Sequence, residues 1–348
     1  MLHPSISASY MGLALRSPII VGSCPMTLNP ERVRELSIAG AGAVVLPSLF
    51  EEQVVHYRDQ RGEQVSRRES RVEWLSYDKI EDTYNGGPDG YLDAIATLKS
   101  TADIPVIASL NGCSGGHWLG FAMDLQRAGA DAIELMLELE MIEPSVSGDH
   151  ADRELIAAVT HLCDQVSIPV SVKLSHFHTN LSYLAWKLAA AGASGIVGFA
   201  HPTTWEVSTE RIETSIKWSL TYSGNINPTI DGLIRLRAGG PAISLAASGG
   251  ASSADDVLRM VIAGADIVMV TSEVYRAGPG AVESMITGLR NFLSVHHFST
   301  FAEFANARPL PISSIRRSHL RTLTQQKLVE DPTPEAPHHS GDRWGHPT

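Results

Sequence analysis

One phrase is spelled four times along this chain of 348 residues: AGAGAVV at 39–45, AGADAIEL at 128–135, AGASGIVG at 191–198 and AGADIVMV at 263–270. Each copy reads as a helix stop followed at once by a strand. The alanines let a helix end lie close on a sheet, the glycine supplies the left-handed position just past the helix, and an apolar, largely β-branched run begins the strand. Parallel neighbours cannot be joined by a tight turn, so repeated helix-to-strand joints predict a parallel sheet with helical crossovers.

The strands that leave these four joints are joined by further apolar runs at 19–22, 104–110, 168–174 and 242–247. Helices are predicted at about 89–101, 116–128, 150–166, 179–191, 253–263 and 279–295, with another opened by the cap pair Asn29-Pro30. Eight strands with a helix after most of them is the arithmetic of an α/β (β/α)8 TIM barrel. An open doubly wound sheet would usually carry GxGxxG after its first strand, and GSCPMT at 22–27 is not one.

A short hairpin around Met11-Gly12, over 7–15, precedes the first strand. Two stretches, 50–88 and 200–241, are too long for ordinary loops. Both leave C-terminal strand ends, the face on which barrels place active sites, and read as lids or substrate walls, with a dimer surface as the alternative. The barrel domain is expected over 1–310. The proline-rich, charged remainder, 311–348, reads as a poorly ordered tail.

A 43% apolar composition suffices for a large core, and 27 basic against 38 acidic residues give a formal charge of −11. That balance argues against nucleic acid or an anionic membrane as partner and leaves a small-molecule substrate. No apolar run approaches the length of a membrane span. Cys24, Cys113 and Cys163 are odd in number and widely spaced, which suggests neither a disulfide framework nor a metal knuckle. With no basic, apolar leader pattern at the start, a cytoplasmic location is expected.

Small residues close two neighbouring strands: Ser248-Gly249-Gly250 and Thr271-Ser272. Backbone amides without Cβ atoms in the way, at the start of a following helix, form a site for a phosphate or other anion. Alternation along the strands turns Glu134, Met136 and Glu138 toward the barrel axis, with Ile133, Leu135 and Leu137 toward the helices. By the same rule Ser171 and Lys173 face the axis, as do Ser109 with Asn111 and Ser244, Ala246 with Ser248. A lysine inside a barrel demands an anionic neighbour, either a ligand or Glu134 or Glu138. Histidines 117, 176, 178 and 201 gather at strand ends. His176-x-His178 lacks the carboxylates that would complete a coordination set, so no metal is expected.

Taken in order, SPIIVGSCP, AVVLPSLFEEQ, PVIASLNG, AGADAIEL, PVSVKLS, SGGASSADDV and AGADIVMVTS resemble the dihydroorotate dehydrogenase family over about residues 5–295. The resemblance implies FMN at the C-terminal mouth of the barrel and an oxidoreductase, with a homodimer as the family expectation. By position it implies cofactor contacts from Gly22, Ser23, Ser48, Asn111 and Lys173, and a phosphate clamp from Ser248, Gly249, Gly250, Thr271 and Ser272. The family carries an Asn-x-Ser-Cys-Pro-Asn type sequence after the fourth strand, with the base that deprotonates dihydroorotate. This chain has Met136-Leu137-Glu138-Leu139-Glu140-Met141 there, Pro47 in place of a lysine, and Ala200 or His201 in place of an asparagine. A small polar substrate other than dihydroorotate is therefore expected, with Lys173, Glu138 and His201 as catalytic candidates. Two other readings stand beside it: an aldolase or lyase using Lys173 as a Schiff-base amine, and a flavin-binding subunit without chemistry of its own.

Overall fold

The computed structural model describes residues 4–62, 80–137, 146–202 and 204–309. The chain opens with a hairpin of β1 (Ala8–Tyr10) and β2 (Leu13–Leu15), then runs β3 (Ile19–Val21), α1 (Pro30–Ile38), β4 (Ala43–Val45), β5 (Leu49–Phe50), α2 (Glu51–Gln60), α3 (Ile80–Asn85) and α4 (Gly87–Thr101). There follow β6 (Val106–Gly112), α5 (Ala122–Ala128), β7 (Ala132–Leu137), α6 (Gly148–Gln165), β8 (Val170–Leu174), α7 (Leu181–Ala190) and β9 (Gly195–Gly198). A second hairpin, β10 (Thr204–Ser208) with β11 (Glu213–Lys217), leads to α8 (Ile226–Gly239), β12 (Ser244–Ser248), α9 (Ala254–Ile262), β13 (Ile267–Val270), α10 (Ser272–Ala277), α11 (Gly280–Val295) and α12 (Phe301–Ala307).

Eight parallel strands close on themselves in the order β4, β3, β13, β12, β9, β8, β7, β6, with β4 pairing β6 to complete the ring. The two-residue β5 continues along β6 where β4 stops, pairing Leu49 with Leu110 and Phe50 with Asn111. Pro47 lies in the break and cannot donate to the ladder.

The four joints are built as their sequence demands. Gly40, Gly129, Gly192 and Gly264 all take positive φ, at 99°, 106°, 102° and 130°, where a Cβ would be strained. Where the joint contains aspartate, the carboxylate reaches the neighbouring strand: Asp131 accepts from the Val106 amide at 2.7 Å and Asp266 from the Leu245 amide at 2.9 Å. Each strand start is thereby tied to the next by a charge-assisted bond.

Alternation sorts the strands as expected. Ile133, Leu135, Val172 and Leu174 join the large core between barrel and helices. Ile20, Val45, Ile107, Ala132, Val197, Ala246, Ile267 and Met269 fill the interior, and Tyr10 and Met11 of the first hairpin plug its base. That hairpin turns on Met11 at φ 53° and Gly12 at φ 82°, two left-handed residues of the kind a two-residue hairpin requires.

The two long stretches are more structured than their sequences suggested. Residues 50–88 contain α2 and α3 on either side of 63–79, which lie outside the described residues, as do 310–348. The stretch 200–241 divides into the exposed ribbon β10–β11 and α8, which packs on α7 and β12 as an ordinary barrel helix. The helix expected at 116–128 begins as a 3-10 turn, His117–Phe121, before α5, with the fully buried Trp118 indole donating to the Ser114 carbonyl at 3.0 Å. Among the described residues no helix is long and apolar enough to cross a membrane.

Candidate active site

A cavity of about 730 Å³, open mouth included, lies at the C-terminal ends of β3, β8, β9, β12 and β13. Gly22, Ser23, Lys173, Ser248, Gly249, Gly250, Thr271 and Ser272 all line it. Its remaining wall is aromatic and apolar: Phe199, Trp218, Leu220, Met269 and Tyr275, with His201 and Thr221.

Absence of side chains shapes the floor. A Cβ on Gly22 would stand 2.5 Å from Thr271 Oγ1, so the first and last barrel strands end in close contact. Gly249 and Gly250 hold φ at 106° and 88°, left-handed backbone that disfavours any Cβ. Thr221 bridges the clamp from the far side: its hydroxyl accepts from the Gly250 amide at 3.2 Å and pairs with the Ser272 hydroxyl at 3.0 Å, while its own amide donates to Ser272 Oγ, also at 3.0 Å. Arg276 donates to the Thr221 carbonyl at 2.6 Å and to Glu273 at 2.9 Å, fixing the loop.

The helix that follows the glycines brings its own anion. Asp256, buried in the first turn of α9, accepts from the Ser252 amide at 3.0 Å, the Ser252 hydroxyl at 3.1 Å and the Ser223 hydroxyl at 2.6 Å. Burial pushes this carboxyl up, but the hydrogen bonds from Ser223, Ser252 and Ser253 outweigh it and hold it below the usual range.

Lys173 answers the demand for a partner with Glu134. Its Nζ lies 2.5 Å from Glu134 Oε1, with side chains 13% and 1% exposed. Register explains the choice: Glu134 stands opposite Ser171, one inward position below Lys173, whereas the residue opposite the lysine is Met136. Glu138, the other candidate, lies outside the described residues.

His201 lines the mouth, stacked on Trp218 at 6.4 Å between centroids. Both ring nitrogens are 2.8 Å from carbonyl oxygens, Nδ1 from Pro202 and Nε2 from Ser219. A neutral ring carries one N–H and can donate to only one of the two carbonyls. His176 lies against the Phe199 ring at 4.2 Å and His178 faces Asp152 at 3.3 Å; burial lowers both imidazoles, partly offset at His178 by Asp152. Burial likewise pushes the Cys24 thiol up to about 11, an inert state at neutral pH. Among the described residues no three His, Cys, Asp or Glu side chains converge as metal ligands.

Ser48 and Asn111 stand apart from this cavity. The Ser48 hydroxyl pairs with that of Ser109 at 2.9 Å, and its carbonyl accepts from Asn85 at 2.8 Å. Asn111 sits between Phe50 and Met136 on the neighbouring strands. The fixture on this side is Glu51, fully buried, which accepts from the amides of Cys113 and Ser114 at 2.8 and 2.9 Å and from the Ser114 hydroxyl. Sequence reading missed Glu51, Thr221 and Tyr275, whereas Trp218 lies in the 200–241 stretch read as a lid or substrate wall. The signal for Thr221 was a second small-polar cluster, Thr221-Tyr222-Ser223-Gly224, in the stretch taken as a wall.

A family model described as dihydroorotate dehydrogenase matches residues 83–293. The chain is 24% identical over 314 residues to the protein of Thermoplasma volcanium named dihydroorotate dehydrogenase B (NAD(+)), catalytic subunit, covering 86% of this chain and 96% of that one. It is 25% identical over 307 residues to the protein of the same name from Pyrococcus furiosus, covering 86% and 97%. An isopentenyl-diphosphate delta-isomerase of Nostoc sp. is 27% identical over 289 residues, covering 80% of this chain and 73% of that protein. With a match across more than half its length on a closed barrel, the chain belongs to the dihydroorotate dehydrogenase family, whose enzymes are FMN-binding, flavin-dependent oxidoreductases.

Proposed function

We propose that this enzyme holds FMN in the cavity between β3, β8, β12 and β13 and oxidises or reduces a small substrate other than dihydroorotate. What carries the reading is that eight residues expected to touch the cofactor share one cavity, from Gly22 to Ser272. The residues fit the group. Gly249 and Gly250 line the cavity without side chains on left-handed backbone, and Thr221, Thr271 and Ser272 line it beside them with neutral hydroxyls, a set suited to a phosphate. Lys173 and the aromatic wall of Phe199, Trp218 and Tyr275 suit a polar chain and a flat ring.

Bound FMN supplies the hydride acceptor or donor. The chain's own residues hold and orient it: the glycine turn fixes the phosphate end, and Trp218 with Tyr275 shields the mouth from water. The substrate reading is supported by Met136 and Leu137, which close β7 where the resemblance calls for an asparagine and a base-bearing loop. His201 serves as part of the wall, stacked on Trp218 with backbone carbonyls beside both ring nitrogens. Glu138 is proposed as the group that handles the substrate proton. The Schiff-base alternative is disfavoured because the Lys173 amine is already engaged by Glu134 at 2.5 Å.

Purified protein soaked in FMN and freed of excess is expected to show a flavin spectrum at one FMN per chain and to leave dihydroorotate unoxidised with a dye acceptor. A chain that stays colourless overturns the cofactor reading. Rapid dihydroorotate turnover overturns the substrate reading alone.

A further inference from the structure

We propose that Glu134 is a positioning residue that sets the reduction potential of the bound flavin, by cancelling the charge that Lys173 presents to the cavity. The inference rests on the cofactor reading above. Lys173 lines the cavity and so faces whatever fills it. An uncompensated ammonium there would favour the electron-rich, reduced ring over the oxidised one and raise the potential. The ammonium is not uncompensated: its Nζ is 2.5 Å from Glu134 Oε1, inside the barrel.

Two further observations show that the carboxylate depends on this contact. Glu134 Oε2 is buried with no hydrogen-bond partner among the described residues. The hydroxyls beside Glu134 in the barrel wall are spent elsewhere, Ser171 on the Ile133 carbonyl at 3.4 Å and Ser109 on Ser48 at 2.9 Å. Beneath it lies the phenol of Tyr10, pushed far above its usual range first by burial and then by the Glu134 charge, so that it stays neutral. A single ammonium therefore balances a carboxylate that is 1% exposed. Moving Lys173 toward an anion in the cavity would leave that carboxylate bare in the barrel, which is strongly unfavourable. The pair acts as a nearly neutral unit, and the flavin is reduced against a smaller field than a free lysine would give.

The test is an anaerobic reductive titration of FMN-loaded protein against a reference dye, with FMN affinity followed by flavin fluorescence. Glu134→Gln is nearly isosteric and should raise the potential, favouring reduced over oxidised flavin at least tenfold, about 30 mV for a two-electron couple. Lys173→Met should lower it, and the double variant, which replaces the ion pair by neutral groups, should return close to the wild type. If Glu134→Gln alone does not fold, the same removal of charge is read between Lys173→Met and the double variant, where the potential should rise. Variants that bind FMN with an unmoved potential overturn the inference and leave the cofactor reading intact. A wild-type chain that takes up no FMN overturns both.

Discussion

Asp256 ties the turn after β12 to the first turn of helix α9, and its removal has a calculable cost. In Asp256→Ala the Ser252 amide loses its acceptor, while the hydroxyls of Ser223 and Ser252, 2.7 Å apart, can still pair with each other. An unsatisfied, partly buried amide costs about 1–3 kcal/mol and the lost acid in the first helical turn about 0.5 kcal/mol, with a further contribution from the charge-assisted hydroxyl bonds. The sum is about 3 kcal/mol. At about 2.1 cal/mol/K per residue over roughly 300 ordered residues, this lowers Tm by ~5 °C. Asp256→Asn retains an acceptor without the charge and should lose about half as much. The carboxyl is held below its unfolded value, so its contribution is present above about pH 4 and is lost as pH falls through the folded value. Urea melts of the three proteins at pH 7 and pH 3.5 check both statements. An alanine variant within about 0.5 kcal/mol of wild type at pH 7, or a deficit as large at pH 3.5 as at pH 7, would refute the reasoning.

Glu51 should behave in the opposite sense. Burial raises its carboxyl above the unfolded value despite the hydrogen bonds from Ser114 and Cys113, so its contribution is fully present below about pH 4.3 and declines as pH rises through the folded value; urea midpoints of Glu51→Gln should show a flatter pH profile than the wild type on the acid side of neutrality. Gly250→Ala places a Cβ at φ 88°, 2.8 Å from Ile226 Cγ2 and 3.1 Å from the Tyr222 carbonyl, which costs about 1–2 kcal/mol in backbone strain alone and should weaken FMN binding at least tenfold by fluorescence titration. Gly232→Ala drives a methyl into the Phe199 ring behind the cavity and should cost about 1–3 kcal/mol in denaturant stability.

The barrel was legible because its signals are local. Four glycines past four helices state where the chain must reverse, and each takes the left-handed conformation that its sequence context predicts. Helix α8 was illegible for the complementary reason. Its sequence, INPTIDGLIRLRAG, carries a proline and two glycines, and Gly232 sits there because the Phe199 ring occupies the space a side chain would need. That requirement belongs to the packed structure and leaves no periodic trace. The cofactor half of the mouth followed the same division. Its glycines and hydroxyls at 248–250 and 271–272 are turn chemistry, readable in place. Thr221 and Trp218 reach the cavity only because the second insertion folds back over it, and Tyr275 reaches it from α10. Lys173 was intermediate, since parity put both Glu134 and Glu138 inside and only the strand register brought Glu134 beneath the lysine.

The stretch that first suggested an anion site carries an anion of its own. Sequence alone assigns an incoming phosphate to the amino end of the helix after Ser248-Gly249-Gly250. Yet α9 already satisfies that end with its own Ser253 cap and the Asp256 carboxylate. A second anion on the same amides would meet like charge. On the cofactor reading proposed above, the phosphate would lie one turn earlier, beside the glycines and the hydroxyls of Thr221 and Ser272, which carry no charge. Among the described residues, the only lysine or arginine lining the cavity is Lys173, and Glu134 holds it. On these proposals an acidic protein would build its anion site from oriented dipoles and reserve that cation for the ring, where a carboxylate beneath it would set how much of the charge is felt.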